Sequence, residues 1–158
     1  MTPKAKGQPI LVPVDFSSYS EAALVCAADL AEMLKEPLIV LHVVHDPGEA
    51  PGYYAVKGRK KQLHRIEDVA ADMLQEFMEN MKKKHPGNKA IASAQTELVT
   101  GLPVNRILEV AEQNRVRMII KGSQGRTGLS HALIGSKAEQ VVHLSPVPVT
   151  IVKNSHKK

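Results

Sequence analysis

Three glycines and a serine stand at a spacing that suits a polyanion. From position 121 the chain reads Lys121-Gly122-Ser123-Gln124-Gly125-Arg126-Thr127-Gly128, and Gly135-Ser136-Lys137 follows, which gives the pattern G-x2-G-x9-G-S. Gly122 would let the chain turn sharply as it leaves an apolar run. Gly125 lacks a side chain, so a sugar or phosphate can approach the main chain. Gly135 and Ser136 stand where a helix should begin, and the free amides and dipole of a helix start favour an anion. The Ser136 hydroxyl can donate one more hydrogen bond, while Arg126 and Lys137 add positive charge. The plainer alternative makes the glycines turn residues and Ser136 a helix cap. Neither the Walker A spacing nor a G-x-G-x-x-G after the first strand is present.

A second candidate is Asp15, at the end of the apolar run Ile10 to Val14 that contains Pro13. It could touch a ligand, or it could cap the turn into the next helix through local bonds. Between Gly122 and Ser136 there is no Asp or Glu. A Mg²⁺ ion would therefore depend mainly on phosphate oxygens and water, and no metal ligand is assigned. His131 is the one proton acceptor in that loop, and solvent exposure explains it equally well, so no catalytic residue is assigned either. His42 lies inside an apolar run and reads as a core residue; His45 is nearer the strand mouth. His64, His85, His143 and His156 form no metal spacing. Cys26, in an Ala/Leu helix, reads as buried and inert.

These residues need elements to position them. Ile10 to Val14, Leu38 to Val44, Ala92 to Val99, Met118 to Ile120 and Pro146 to Val152 read as strands. Helices are expected over about 19–34, 60–84, 103–114 and 136–144. Ser18 with Glu21 and Ser136 with Glu139 fit capping boxes. Leu63, Ile66, Val69, Ala70, Met73, Leu74, Phe77, Met78 and Met81 make one apolar stripe on the second helix. Residues 45–59 hold Pro47, Gly48, Pro51, Gly52 and Gly58 and read as a long loop. Strands alternating with helices imply an α/β domain, a parallel sheet with helices on both faces. Ligands in such sheets sit beyond the carboxyl ends of the strands, which here means Asp15, Val43 to His45, Gly101 and Lys121 to Gly125.

The rest of the composition narrows the setting. A chain of 158 residues with 43% hydrophobic and 23% charged residues is the size and make-up of one globular domain. No apolar run reaches the ~20 residues of a membrane span, and the first nine residues lack a signal-peptide core. One cysteine forms no internal disulfide; a reduced, cytoplasmic protein is expected. The net charge of +5 gathers in the two ends and in Lys57, Arg59, Lys60, Lys61 and Arg65. With only 3% aromatic residues, and none in that basic run, a solubilising role fits better than a nucleic-acid platform.

The G-x2-G-x9-G-S spacing, the opening PVDFS (Pro13 to Ser17), LHVV (Leu41 to Val44) and the closing PVPVTIV (Pro146 to Val152) resemble the universal stress protein family, over residues 8–153. Residues 1–7 and 154–158 would be flexible basic tails. The resemblance implies a five-stranded parallel sheet in the order 3-2-1-4-5 and a homodimer paired through Val147 to Val152. Because the glycine motif is complete, it implies the ATP-binding branch. Asp15 and the Val43 main chain would then hold the adenine side, with Pro13 and Val14 at that end. Gly122 with its neighbours Lys121 and Ser123 would face the ribose, and Gly125, Gly135 and Ser136 the phosphates, with Arg126 and Lys137 close by. Lys121 departs from the small or apolar residue usual there; it could reach a phosphate, point to solvent or crowd the ribose. Gln124 stands where relatives often have histidine. The function implied is an ATP-dependent stress-response switch with an unidentified protein partner. Two alternatives stay open: a slow ATPase or phosphotransferase, and a nucleotide-free interaction module.

Overall fold

The computed structural model describes residues 7–45, 65–125 and 133–154. In chain order these form β1 (Ile10–Pro13), α1 (Ser18–Leu34), β2 (Leu38–Val44), α2 (Ile66–Lys84), α3 (Lys89–Ala92), β3 (Gln95–Thr100), α4 (Pro103–Gln113), β4 (Met118–Gly122), α5 (Ser136–Leu144) and β5 (Val149–Val152). The five strands form one parallel sheet in the order β3-β2-β1-β4-β5. This is the α/β architecture and strand order expected from the sequence.

β1 and β2 are buried along their whole length. Covered on both faces, they carry continuous apolar runs rather than an alternating pattern. Side chains of one parity (Ile10, Val12, Val40, Ile120) pack with Ala23, Leu24, Ala27 and Ala28 of α1 and Leu74, Phe77, Met78 and Met81 of α2. Those of the other parity (Leu11, Ile39, Leu41, Val43, Ile119) pack with Val104, Ile107 and Val110 of α4 and Val141 of α5. The methionine stripe of α2 is thus mainly core.

Several element ends differ from expectation. α2 starts at Ile66, because Arg65 is extended with φ −66° and ψ 150°; residues 60–64 lie outside the described residues. Instead of a strand from Ala92, a helical turn covers Lys89–Ala92 and β3 begins at Gln95. That turn is capped by the Asn88 side chain, which accepts from the Ile91 amide. It is capped also from α1, where the Glu32 carboxylate accepts from the Lys89 amide at 2.8 Å. The first helix is capped by Ser17, which accepts from Ser20 N, not by Ser18. α5 is capped by Gly135 without a side-chain bond, so Ser136 is its first residue and neither capping box forms as expected. β4 extends to Gly122, and β5 begins only at Val149, beyond both prolines.

The sheet opens between β1 and β4. The amides of Ile10 and Val14 donate to Pro37 and Leu41 carbonyls, so even-numbered residues of β1 face β2. Leu11 and Pro13 therefore face β4, and proline has no N–H to donate. The β1–β4 register stops at Leu11 and Ile119 although β4 runs on to Gly122. A proline inside a central strand thus ends one ladder and leaves a gap where the strand order reverses.

Candidate functional site

Asp15 leaves β1 at the mouth of this gap, held by a short turn. Its Oδ1 accepts from Ser17 N at 3.1 Å, Ser17 Oγ at 2.5 Å and Ser20 Oγ at 2.6 Å. The Asp15 amide donates to Ser20 Oγ at 2.8 Å. Burial alone would raise the carboxyl pKa. The hydrogen bonds from Ser17 and Ser20, with the nearby Lys121 charge, outweigh it and hold Asp15 below its ordinary value. The local capping role expected for Asp15 is therefore real, but it uses Oδ1. Oδ2 points toward the opposite wall, 2.8 Å from where a β-carbon at Gly125 would sit.

Phe16 follows with φ 67°. A left-handed backbone at an aromatic residue costs on the order of 1–3 kcal/mol and persists only when its surroundings fix it. Here its ring lies 4.4 Å from the His42 ring and 5.7 Å from the Phe77 ring.

The opposite wall is the exit from β4. Gly122, expected to supply a sharp turn, is not in a positive-φ conformation. It is required for contact: a β-carbon there would lie 2.8 Å from Tyr19 Cβ and 2.9 Å from the Tyr19 carbonyl carbon of α1. Ser123, buried, ties its amide to the Val152 carbonyl at 2.9 Å, and its own carbonyl accepts from the Gly135 amide at 2.7 Å. Gln124, also buried, donates through Nε2 to the Leu133 carbonyl. These two bonds bring the start of α5, with Gly135, Ser136 and Lys137, back against the β4 exit. They also give Gln124 a role the sequence did not suggest, closing the loop from within.

Lys121 is half-buried and shares the parity of Ile119, so it faces the α4/α5 layer. Burial lowers its amine pKa, attraction to Asp15 offsets part of this, and Lys137 lowers it further. Asp15, Lys121 and Lys137, from three separate elements, thus share one field. Arg126 and His131 lie outside the described residues, as do Gly52, Gly58 and the basic run apart from the exposed Arg65.

On the β2 side, Pro13, Val14 and Val43 are buried. The Val14 amide donates to Leu41 O at 2.8 Å, and its carbonyl meets His42 Nδ1 at 2.8 Å. The Val43 carbonyl accepts from His45 Nδ1 at 3.2 Å. His42 is a core residue as expected, and burial first, with His45 adding, pushes its pKa down to about 4. The sequence did not reveal its bond to Val14, nor the roles of Phe16, Tyr19 and Ser20; the D-x-S-x-x-S spacing was the available signal for Ser20. Cys26, expected to be buried, is only half-buried at the margin of the α1 core, with its thiol pKa pushed up by burial and by Asp29. Among the described residues no group of three or more His, Cys, Asp or Glu side chains could hold a metal.

Of the predicted site residues, the structure brings Asp15, Lys121, Gly122, Ser123, Gly125, Gly135, Ser136 and Lys137 to the two walls of one crevice, with Pro13, Val14 and Val43 beside it. Comparison with known proteins bears on the family and the fold. A model of the universal stress protein family matches residues 7–153. Universal stress protein MJ0577 of Methanocaldococcus jannaschii is 33% identical over 159 residues, covering 93% of this chain and 95% of that protein. The solved structure of the hypothetical protein MJ0577 superposes with a TM-score of 0.72 at 29% identity, covering 95% of this chain and 98% of that one. Two further structures share the fold at lower identity. A universal stress protein in complex with cAMP has a TM-score of 0.66 at 20% identity, covering 94% and 98%. The universal stress protein from Archaeoglobus fulgidus in complex with dAMP has a TM-score of 0.60 at 22% identity, covering 93% and 98%.

Proposed function

The chain belongs to the universal stress protein family, and from that premise we propose that it binds an adenine nucleotide, ATP first among them, in the crevice between β1 and β4. Occupancy would switch its shape or its choice of protein partner in a cytoplasmic stress response. The observation that carries the reading is the meeting of Gly125 with Asp15 Oδ2 across the crevice, at a distance a β-carbon would close. Without a side chain at Gly125 the main chain leaving β4 comes up against the Asp15 carboxylate, which brings the two halves of the proposed site together. The cAMP and dAMP bound by two proteins of this fold are adenine nucleotides, which suits the same ligand class here.

In this reading Asp15 and the Val43 main chain hold the base, beside Pro13 and Val14. Lys121, Gly122 and Ser123 lie along the sugar. Gly125, Gly135 and Ser136 offer main-chain and hydroxyl donors to the phosphates, with Arg126 and Lys137 supplying charge. Ser136 at the first turn of α5 has its amide among those left free at a helix start. A Mg²⁺ ion arriving with ATP would be held by phosphate oxygens and water.

A homodimer joined through β5 is part of the proposal. β5 is the sheet's edge, and all four of its residues are half-buried, as suits a strand awaiting a partner. Mass spectrometry of ligand released from freshly purified protein, followed by calorimetric titration of the stripped protein with ATP, tests the reading. Released adenylate and saturable binding support it; a correctly folded protein that takes up no adenine nucleotide overturns it.

A further inference from the structure

His42 lies on β2, 1% exposed, and its neighbours of the same parity, Val40 and Val44, are apolar. A polar ring in such a layer is tolerated only when hydrogen-bonded, and its bond points to its role. The acceptor is the Val14 carbonyl at 2.8 Å. A carbonyl only accepts, so Nδ1 carries the proton, and burial keeps the ring neutral at ordinary pH.

The position of that carbonyl matters. The β1–β2 register ends at Pro13 and Leu41, and the next step of the parallel ladder would send the Val43 amide to the Val14 carbonyl. That ladder bond is not made, and the Val14 carbonyl is instead bonded by His42. Among the described residues the Val43 amide makes no hydrogen bond, although as an odd-numbered residue of β2 it faces the β1 side, beside the crevice. The same imidazole packs, tilted by 34° with ring centroids 4.4 Å apart, against Phe16, which follows Asp15 with a left-handed backbone.

We propose that His42 is a positioning residue of the nucleotide site: its bond to the Val14 carbonyl ends the β1–β2 ladder one step early, leaves the Val43 amide open to a ring-nitrogen acceptor such as a purine, and braces the Asp15 turn through Phe16. This rests on the crevice being the nucleotide site, and it adds how the main-chain donor for the base is kept available.

Two variants and two readouts test it. His42→Leu keeps an apolar side chain of similar reach and removes the donor. His42→Asn places an amide N–H near the Nδ1 position. Amide hydrogen exchange is measured at Val43 and Ser17 in ligand-free protein, and ATP affinity by calorimetry. In His42→Leu the Val43 amide should become at least tenfold more protected as the ladder closes. The Ser17 amide should become less protected, ATP affinity should fall at least tenfold, and the melting temperature should hold or rise. His42→Asn should restore both exchange and affinity, which a residue needed only for packing would not do. Wild-type exchange at Val43 in folded His42→Leu overturns the inference. If His42→Leu does not fold, a folded His42→Asn that loses affinity tenfold or shows a protected Val43 overturns it, and wild-type behaviour supports it. Should the wild-type protein take up no adenine nucleotide, the proposed function fails alone, and exchange at Val43 still decides the role of His42.

Discussion

Two residues, His42 in the core and Asp15 at the crevice, titrate so that acid weakens the fold in two separate windows. His42 has a folded pKa of about 4 against an ordinary 6.5. Above pH 6.5 it is neutral in both states; between 6.5 and about 4 only the unfolded chain takes the proton, so stability falls as pH falls. The full effect is about 3 kcal/mol. Asp15 acts lower down: its pKa is held beneath 3.8, so its contribution is present above that value and is lost as pH falls through the folded pKa. Urea unfolding at pH 7 and pH 4.5 should show the first loss in the wild type and a much flatter response in His42→Leu. Equal slopes in the two proteins would refute the assignment to His42. Lys121 works against stability, since it keeps a charge half out of water beside a second lysine. Lys121→Met should raise the melting temperature of the ligand-free chain. It should also weaken ATP more than adenosine, because the lost interaction is with phosphate charge. Equal weakening of the two would place Lys121 elsewhere.

At the scale of elements, two glycines of one motif do different work, and alanine separates them. At Gly122 the added methyl meets the main chain of α1 at Tyr19, which cannot give way cheaply. Gly122→Ala should cost about 1–3 kcal/mol of stability, the range for overpacking. At Gly125 the methyl meets, among the described residues, only Asp15 Oδ2, a side-chain atom of the site. Gly125→Ala should leave the melting temperature within a few degrees and reduce ATP affinity by tenfold or more; thermal melts paired with calorimetry read both. Loss of stability at Gly125 with affinity intact would reverse the assignment. The motif's spacing was legible in the sequence, but the reason for each glycine was not, because α1 supplies the clash at Gly122 from a hundred residues away. The same cause hid α3, whose cap comes partly from Glu32 on α1. Local propensity located the apolar runs of β1, β2 and β4 well, because a strand buried on both faces has little else it can be. It placed the helix caps one residue off, at Ser18 and Ser136, since serine and glycine are also accepted at an N-cap and neighbouring Ser17 and Gly135 take that position.

Across the whole molecule, the parallel sheet followed from alternation and the order β3-β2-β1-β4-β5 from the family resemblance, whereas the crevice depends on Pro13, whose missing N–H counts only once β1 is known to lie between β2 and β4. The order also leaves β5 at one edge, which makes oligomerisation a question of main-chain donors. Ser123 and Ile119 donate to the carbonyls of Val152 and Pro148, so even-numbered residues of β5 face β4 and Val149 and Ile151 face outward. If copies pair through this edge, Ile151→Pro removes an outward N–H and leaves the bonds to β4 in place. Sedimentation should then show a wild-type dimer and an Ile151→Pro monomer with unchanged far-ultraviolet circular dichroism. Because Ser123 links β5 directly to the loop that closes on Gly135, pairing at the edge would also stiffen one wall of the crevice. The monomeric variant should therefore bind ATP more weakly than the dimer, although residue 151 belongs to neither wall. A wild-type monomer at tens of micromolar, or an Ile151→Pro monomer with undiminished affinity, would separate the edge from the site and leave β5 as a guarded margin of the sheet.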